Sequence, residues 1–326
     1  MMSASFFRHS GSCLDAHFRR PHRTIKCDEG ILVAGIGMRE LTIQGADSLR
    51  LSLAVFESDD SRATLQIIHG EKEHKGRYYD FAKYLAGNGI NVVVSDNRGH
   101  GASVNGHYPL GHMGDMKTMM NDQFLVSQFA KSVFPKVDLS LMGYSFGACI
   151  ARAYLREHDS EIRKLILVSP PRYSTSAAVG CRLGRIAARV GGENGHNRLF
   201  LKYCKPREGR TICTNVRTVE ARKNDALCTG YDYTNASYST LWDAGRMLHD
   251  VKGHRCTNRN LRILSVSGAN DPLTGGERGL DDNRKTLRKI GYTRYRSIVY
   301  SGMKHDVLGE LDCRQAWNDI SGFVFI

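Results

Sequence analysis

Leu139-Ser140-Leu141-Met142-Gly143-Tyr144-Ser145-Phe146-Gly147-Ala148 joins an apolar, strand-forming run to a helix-forming run through the pattern G-x-S-x-G. A strand that turns this sharply into a helix holds the central serine in a strained backbone conformation and exposes its oxygen. Glycines two before and two after are required because side chains there would clash. Ser145 is therefore the candidate nucleophile, with Gly143 and Gly147 shaping its turn. The helix that starts at Phe146 also brings backbone N–H groups to any oxyanion formed beside the serine.

Outward from this turn the chain alternates. Leu41–Gln44 and Leu51–Phe56 read as strands with period-2 patterning, and Ala63–Ile68 is a short apolar run that stops at His69-Gly70. Arg77–Ala86 has Tyr78, Phe81, Ala82 and Leu85 at helical spacing. Asn91–Ser95 is a strand, Asp115–Phe134 a long helix, Val137–Met142 a strand, Phe146–His158 a helix and Arg163–Val168 a strand. The rhythm breaks at Pro170-Pro171 and resumes with Leu261–Ser267, a helix around Arg284–Ile290, a strand at Tyr295–Tyr300 and a helix from about Cys313. Strand–helix alternation of this kind implies βαβ units and a mostly parallel sheet. A structureless loop of about 90 residues inside a compact domain would be improbable, so the interruption is expected to carry helices of its own. The expected organisation is a basic tail over 1–30, core over 31–170, an inserted cap or lid over 171–259, and core again over 260–326.

A serine activated this way needs a base and an acid to orient it, in the chain order serine, acid, histidine. Asp271 follows the strand Leu261–Ser267, in Ser267-Gly268-Ala269-Asn270-Asp271-Pro272-Leu273. His305 follows the strand Tyr295–Tyr300, in Ser301-Gly302-Met303-Lys304-His305-Asp306. Both lie in loops at the carboxyl ends of parallel strands, where sites in such sheets are built. The other acids, Asp281, Asp282 and Asp306, do not follow a strand directly. His305 is expected to take the proton of Ser145, and Asp271 to fix the imidazole tautomer. The backbone N–H groups of Glu71 and Phe146 are the expected oxyanion donors. His69 and Gly70 shape that loop without proton transfer, and Asp96–Ser103 braces its neighbours. The fold class is α/β: an α/β-hydrolase fold with a mostly parallel central sheet flanked by helices, plus the inserted cap.

Composition bounds the partners. The chain has 326 residues, 41% of them hydrophobic, enough for one large core. No apolar stretch approaches the roughly 18 residues of a spanning helix. The first 30 residues carry Arg8, Arg19, Arg20, Arg23 and Lys26 without an apolar h-region, which reads as a frayed tail rather than a secretory signal or a transit peptide. Nine cysteines without a C-x-x-C pair suggest neither a zinc site nor a disulfide framework, and a reducing, cytoplasmic compartment is the simplest reading. The net charge is +13, and between Pro171 and Lys223 twelve Lys/Arg face three acids. That excess reads first as a solvated face and second as a surface for anionic membrane. No nucleic-acid motif accompanies the charge, so no nucleic-acid partner is expected. Gly35-Ile36-Gly37 and Gly99-His100-Gly101 are too short to imply a nucleotide.

His69-Gly70-Glu71-Lys72-Glu73-His74-Lys75-Gly76-Arg77-Tyr78, then Ser95-Asp96-Asn97-Arg98-Gly99-His100-Gly101-Ala102-Ser103, then Gly143-Tyr144-Ser145-Phe146-Gly147 resemble the monoacylglycerol lipase and lysophospholipase branch of the α/β hydrolases, the serine aminopeptidase S33 or hydrolase-4 type. Ser267–Leu273 and Gly302–Glu310 match its acid and histidine motifs. The resemblance covers about Leu41–Ser169 and Leu261–Phe325. It implies hydrolysis of lipid-like acyl esters beneath a mobile cap, with no metal and no organic cofactor. The chain departs from the family pattern at Glu71, where a small residue is usual, and at Asn97, where histidine is usual. The insert matches nothing in the family by motif, and substrate choice is expected to reside there. Monoacylglycerols, lysophospholipids and small acyl esters are the expected substrates. Amide cleavage and acyl transfer use the same site and are the alternatives, because fold and triad do not separate them. A binding protein without catalysis ranks below both, since all three triad residues are present.

Overall fold

The computed structural model describes residues 32–33, 37–45, 47–197 and 212–326. The basic tail expected over 1–30 lies outside these, as do residues 198–211 of the insert. Among the described residues nine strands form one sheet: β1 (Leu32–Val33), β2 (Met38–Gln44), β3 (Arg50–Phe56), β4 (Ala63–Ile68), β5 (Ile90–Ser95), β6 (Leu139–Tyr144), β7 (Lys164–Val168), β8 (Arg262–Gly268) and β9 (Arg294–Tyr300). Their order is β1-β2-β3-β5-β4-β6-β7-β8-β9. β1, β2 and β3 pair antiparallel, and β3 pairs antiparallel with β5; the six strands from β5 to β9 are parallel. The fold is an α/β hydrolase.

Every residue of β4, β5, β6 and β7 is buried, which is why these segments read as continuous apolar runs rather than alternations. The edge strand β9 places Arg294, Ser297 and Arg296 toward solvent, a charged rim that discourages pairing with another chain. One sheet face packs Leu53, Val93, Leu141, Leu165 and Ile263 against α2 (Met116–Val133) and α3 (Phe146–His158). The other packs Leu65, Val94, Ile166 and Leu264 against α1 (Tyr79–Ala86) and the C-terminal helix Cys313–Phe325. Asp115 caps α2 by accepting the Thr118 N–H at 2.8 Å. The six cysteines among the described residues are all unpaired thiols.

Several boundaries differ from the sequence reading, each for a tertiary reason. β6 starts at Leu139 and not at Val137, because its register is set by β4, where Thr64 pairs with Leu139. It also runs on through Gly143 and Tyr144, since Gly143 continues the ladder to β4 and β7. Arg77 and Tyr78 belong to a 3-10 turn, Lys75–Tyr78, which leads into α1.

The insert between β7 and β8 holds helices α4 (Ala177–Gly191), α5 (Val216–Lys223), α6 (Ala226–Thr229) and α7 (Asn235–Met247). α4 packs on α7 at Gly180, where a Cβ would lie 2.3 Å from the Trp242 ring. The insert reaches the loops at the carboxyl ends of the strands. Tyr233 and Arg222 bond the loop after β4, Tyr233 and Thr234 bond the segment after β5, and Asn215 and Thr218 bond Gly309 after β9. Two elements complete the core: α8 (Gly276–Ile290) and α9 (Cys313–Phe325).

Candidate active site

Ser145 sits between β6 and α3 with φ 51° and ψ −116°, a conformation disfavoured for a residue with a side chain. Close packing holds it there. A Cβ on Gly143 would lie 2.2 Å from the Gly147 carbonyl oxygen, and a Cβ on Gly147 would lie 2.2 Å from that of Ile68 and 2.6 Å from that of His69. Only glycine fits at either position. The same approach brings the first turn of α3, with Phe146, against the end of β4 and the loop that follows it.

Three of the residues picked from sequence come together. His305 Nε2 lies 2.8 Å from Ser145 Oγ, and His305 Nδ1 lies 2.9 Å from Asp271 Oδ2. All three are buried, with Ser145 the most accessible at 8%. Asp271 also accepts the N–H groups of Leu273 (2.8 Å) and Thr274 (3.0 Å) and the hydroxyl of Thr274 (2.7 Å). Burial alone would raise its carboxyl, but the hydrogen bond and charge of His305, together with Thr274, hold it below the ordinary carboxylate value. The His305 carbonyl accepts the Ser169 hydroxyl at 2.5 Å, which fixes the histidine backbone to the end of β7. The neighbouring Asp306 points away and pairs with Arg77 at 3.1 Å, while Asp281 and Asp282 lie on α8.

The loop after β4 is fixed from several sides. His69 Nε2 accepts the Asn97 N–H at 2.8 Å, so Nδ1 carries the proton and donates to the Gly70 carbonyl at 2.8 Å. Burial lowers the His69 pKa, which keeps the ring neutral in this role. The Asn97 side chain donates to the His69 carbonyl at 3.1 Å and accepts from Gln123 at 3.0 Å. Asp96 accepts the Lys75 N–H at 2.7 Å and that of Ala102 at 2.9 Å, tying its own loop to the 3-10 turn. The half-buried Glu71 carboxyl is raised by burial, against the opposing charges of Lys72, Arg222 and His305.

Sequence reasoning missed the acid beneath this loop. Glu73 is 1% exposed, accepts the Gly70 N–H (3.1 Å) and the Tyr78 hydroxyl (2.7 Å), and pairs with Arg77 (3.0 Å) and Arg222 (3.1 Å). Burial opposes its ionisation, but the two guanidinium charges prevail and lower its pKa. The signal was present as Glu73 and Arg77 at i, i+4 in the quoted motif; the third partner, Arg222, lies 149 positions away.

One group of metal-type donors occurs among the described residues: His74, Asp225 and Cys228, with ligand atoms within 4.8 Å of one another. His74 Nδ1 accepts the Gly76 N–H, so Nε2 carries the proton and donates it to Asp225 at 2.7 Å. That is a hydrogen-bonded pair whose lone pairs are already engaged, and a metal would have to displace the turn's own cap.

The family described as Hydrolase_4 (Serine aminopeptidase, S33) matches residues 59–312. The monoacylglycerol lipase of Mycolicibacterium smegmatis is 23% identical over 294 residues, 87% of this chain and 96% of that one. The monoglyceride lipase homolog of monkeypox virus is 32% identical over 143 residues, 44% of this chain and 50% of the viral protein. Among solved structures, a thermostable carboxyl esterase from Bacillus coagulans superposes with a TM-score of 0.80 at 19% identity, covering 89% of this chain and 99% of that one. At that identity the likeness is one of fold.

Proposed function

The chain belongs to the serine aminopeptidase S33 (Hydrolase_4) family, and from that premise we propose that it hydrolyses carboxylic esters of lipid-like substrates through an acyl-enzyme on Ser145. The observation that carries this reading is the hydrogen-bonded string from Ser145 Oγ through His305 to Asp271. Ser145 Oγ attacks the acyl carbon while His305 Nε2 takes its proton. Asp271 remains a carboxylate and stabilises the imidazolium. The tetrahedral oxyanion is held by the N–H groups of Glu71 and Phe146. Its collapse breaks the ester C–O bond, and the leaving alcohol takes the proton from His305. Water then attacks the acyl-enzyme with His305 again as base, and the carboxylic acid departs. None of these steps calls for a metal or organic cofactor.

Residues 171–259 act in this reading as a cap over the site, and 31–170 with 260–326 as the core. Monoacylglycerols and lysophospholipids are the proposed substrate class, by analogy with the relatives' activity and supported by the surface of α4. Its buried face packs on α7. Its opposite face turns out Val179, Leu183, Ile186 and Val190, the last 80% exposed, beside a row of exposed Arg182, Arg185 and Arg189. An apolar stripe flanked by arginines suits the headgroup region of an anionic membrane. Among the described residues no helix is long and apolar enough to cross a membrane, so the proposed contact is peripheral.

The test is hydrolysis of a chain-length series of p-nitrophenyl esters and monoacylglycerols by the wild type and by Ser145→Ala. Activity lost in the variant supports the nucleophile, and the preferred chain length sizes the pocket. A folded wild type silent on every ester would redirect the reading to amide cleavage or acyl transfer, and equal activity of the two proteins would sink it.

A further inference from the structure

We propose that Tyr233 and Arg222, both on the insert, are positioning residues that hold the oxyanion loop in its working shape, so that the site is complete only while the insert is seated. The inference rests on the reading of Ser145 as nucleophile and of the Glu71 N–H as oxyanion donor.

The Glu71 N–H lies in the peptide plane that precedes Glu71, and the orientation of that plane depends in turn on how the planes next to it are held. The plane before Glu71 contains the Gly70 carbonyl and is fixed by the core, since His69 Nδ1 donates to that oxygen at 2.8 Å. The plane after Glu71 is gripped at both polar ends by the insert. Its carbonyl accepts from Arg222 Nη2 at 3.2 Å, and its N–H, that of Lys72, donates to the Tyr233 hydroxyl at 2.8 Å. Arg222 also reaches Glu73 Oε1 at 3.1 Å, the carboxylate whose other oxygen holds the Gly70 N–H. The Lys72 side chain donates to the Tyr231 carbonyl at 2.9 Å and to Asp232 at 3.2 Å.

The Tyr233 hydroxyl is itself oriented. His100 Nδ1 lies 2.9 Å from the Arg98 carbonyl and must donate to it, which leaves Nε2 as an acceptor. The Tyr233 hydroxyl, 2.7 Å from Nε2, therefore donates its proton there and offers a lone pair to Lys72. Burial lowers the His100 pKa to about 3, which keeps that acceptor unprotonated. Lys72 has φ 48°, a left-handed conformation that a lysine does not favour and that persists where surrounding contacts over-determine it. The contacts that do so include four from the insert, so unseating the insert frees the peptide after Glu71 and with it one of the two anchors of the plane that carries the Glu71 N–H.

Tyr233→Phe keeps the buried ring and removes only the hydroxyl. Arg222→Met, which keeps the stem and removes the guanidinium, is the second variant should the first fail to fold. The readouts are kcat and KM on a p-nitrophenyl ester, thermal midpoint, and the inhibition constant of a trifluoromethyl ketone with the same acyl chain. The ketone binds by forming an oxyanion on Ser145. For either variant, kcat is expected to fall about tenfold or more, with KM within about twofold and a parallel loss of ketone affinity. A folded variant with kcat and ketone affinity within about twofold of the wild type overturns the inference, as does a loss confined to KM. Ser145→Ala run alongside separates the failures: if it keeps full activity, the reading of the site falls, and the clamp with it.

Discussion

Arg98 donates to Asp122 twice, from Nε and from Nη2, each bond 2.8 Å long, and neither residue is more than 2% exposed. The guanidinium also lies 4.2 Å from the Tyr108 ring centroid. The pair pins the loop after β5, which braces the loop after β4 through Asp96 and Asn97, to α2. Removing one partner of such a pair strands a buried charge. The third nitrogen of Arg98 meets the half-exposed Asp47, at 3.4 Å. Asp122→Ala is expected to cost about 3 kcal/mol of stability in urea unfolding. A double variant, Arg98→Met with Asp122→Leu, should cost less than the single one. A loss below about 1 kcal/mol in the single variant would show that the pair is not what secures the loop.

Asp271→Asn keeps the shape of the acid and removes its charge. The amide presents an N–H₂ either to the donors Leu273 N–H and Thr274 N–H or to His305 Nδ1, and in the latter case imposes the wrong tautomer. We expect kcat to fall on the order of 10⁴-fold while the thermal midpoint changes little. Retention of wild-type kcat would remove Asp271 from the proposed mechanism.

Acid should destabilise this protein from about pH 6.5 downward through its buried histidines, against the opposing uptake of a proton by Asp122, whose carboxyl burial raises to about 6. Burial lowers the His100 pKa to about 3 and lowers that of His69, and His254 is pushed down to about 4 by burial and by Arg152 and Arg156. In the unfolded chain each titrates near 6.5. Between those values the unfolded chain binds protons that the folded one refuses, so stability falls as pH falls, beginning near 6.5 and continuing toward the folded values. Each such group contributes a slope of up to about 1.4 kcal/mol per pH unit. Denaturant midpoints from pH 7 to pH 4.5 measure the slope, and His100→Gln should flatten it. An unchanged slope in that variant would mean His100 takes up a proton without unfolding.

Changing Val179, Leu183, Ile186 and Val190 together to serine removes the outward apolar stripe of α4 and leaves its buried face intact. Co-sedimentation with vesicles containing phosphatidylserine should drop about tenfold, the loss expected from several half-buried aliphatic side chains at an interface. The thermal midpoint should hold. Undiminished binding would transfer the membrane contact to the arginines or to another surface.

Much of the fold was legible because its central strands are buried on both faces and stand out as short apolar runs bounded by turns. Ser145 and Asp271 were legible for a related reason, since each follows such a run at the carboxyl end of the sheet where loops converge, whereas His305 follows the half-exposed edge strand β9 and stood out by its position near the end of the alternation. Glycine obscured other features. Gly143 reads as part of a turn, yet it continues β6 because it pairs with Ile68 of β4 and Leu167 of β7. Gly275, Gly276 and Gly279 hide the first turn of α8, where a Cβ on Gly279 would collide with the Thr274 carbonyl. Tyr233 and Arg222 left no trace in the pattern. Their partners, Lys72 and Glu73, are 161 and 149 positions distant, and no periodicity records contacts between an insert and the loops beneath it.

Ser145 and His305 are 160 positions apart, and Asp271 and His305 both follow strands made after the insert. At ribosomal speed that separation is on the order of ten seconds of synthesis. During this interval a nascent chain carries Ser145 and the exposed apolar stripe of α4 but has neither Asp271 nor His305. Emergence of the last two parallel strands is therefore the moment at which the string from Ser145 through His305 to Asp271 can first form, and a chain cut short before them carries the serine with neither partner.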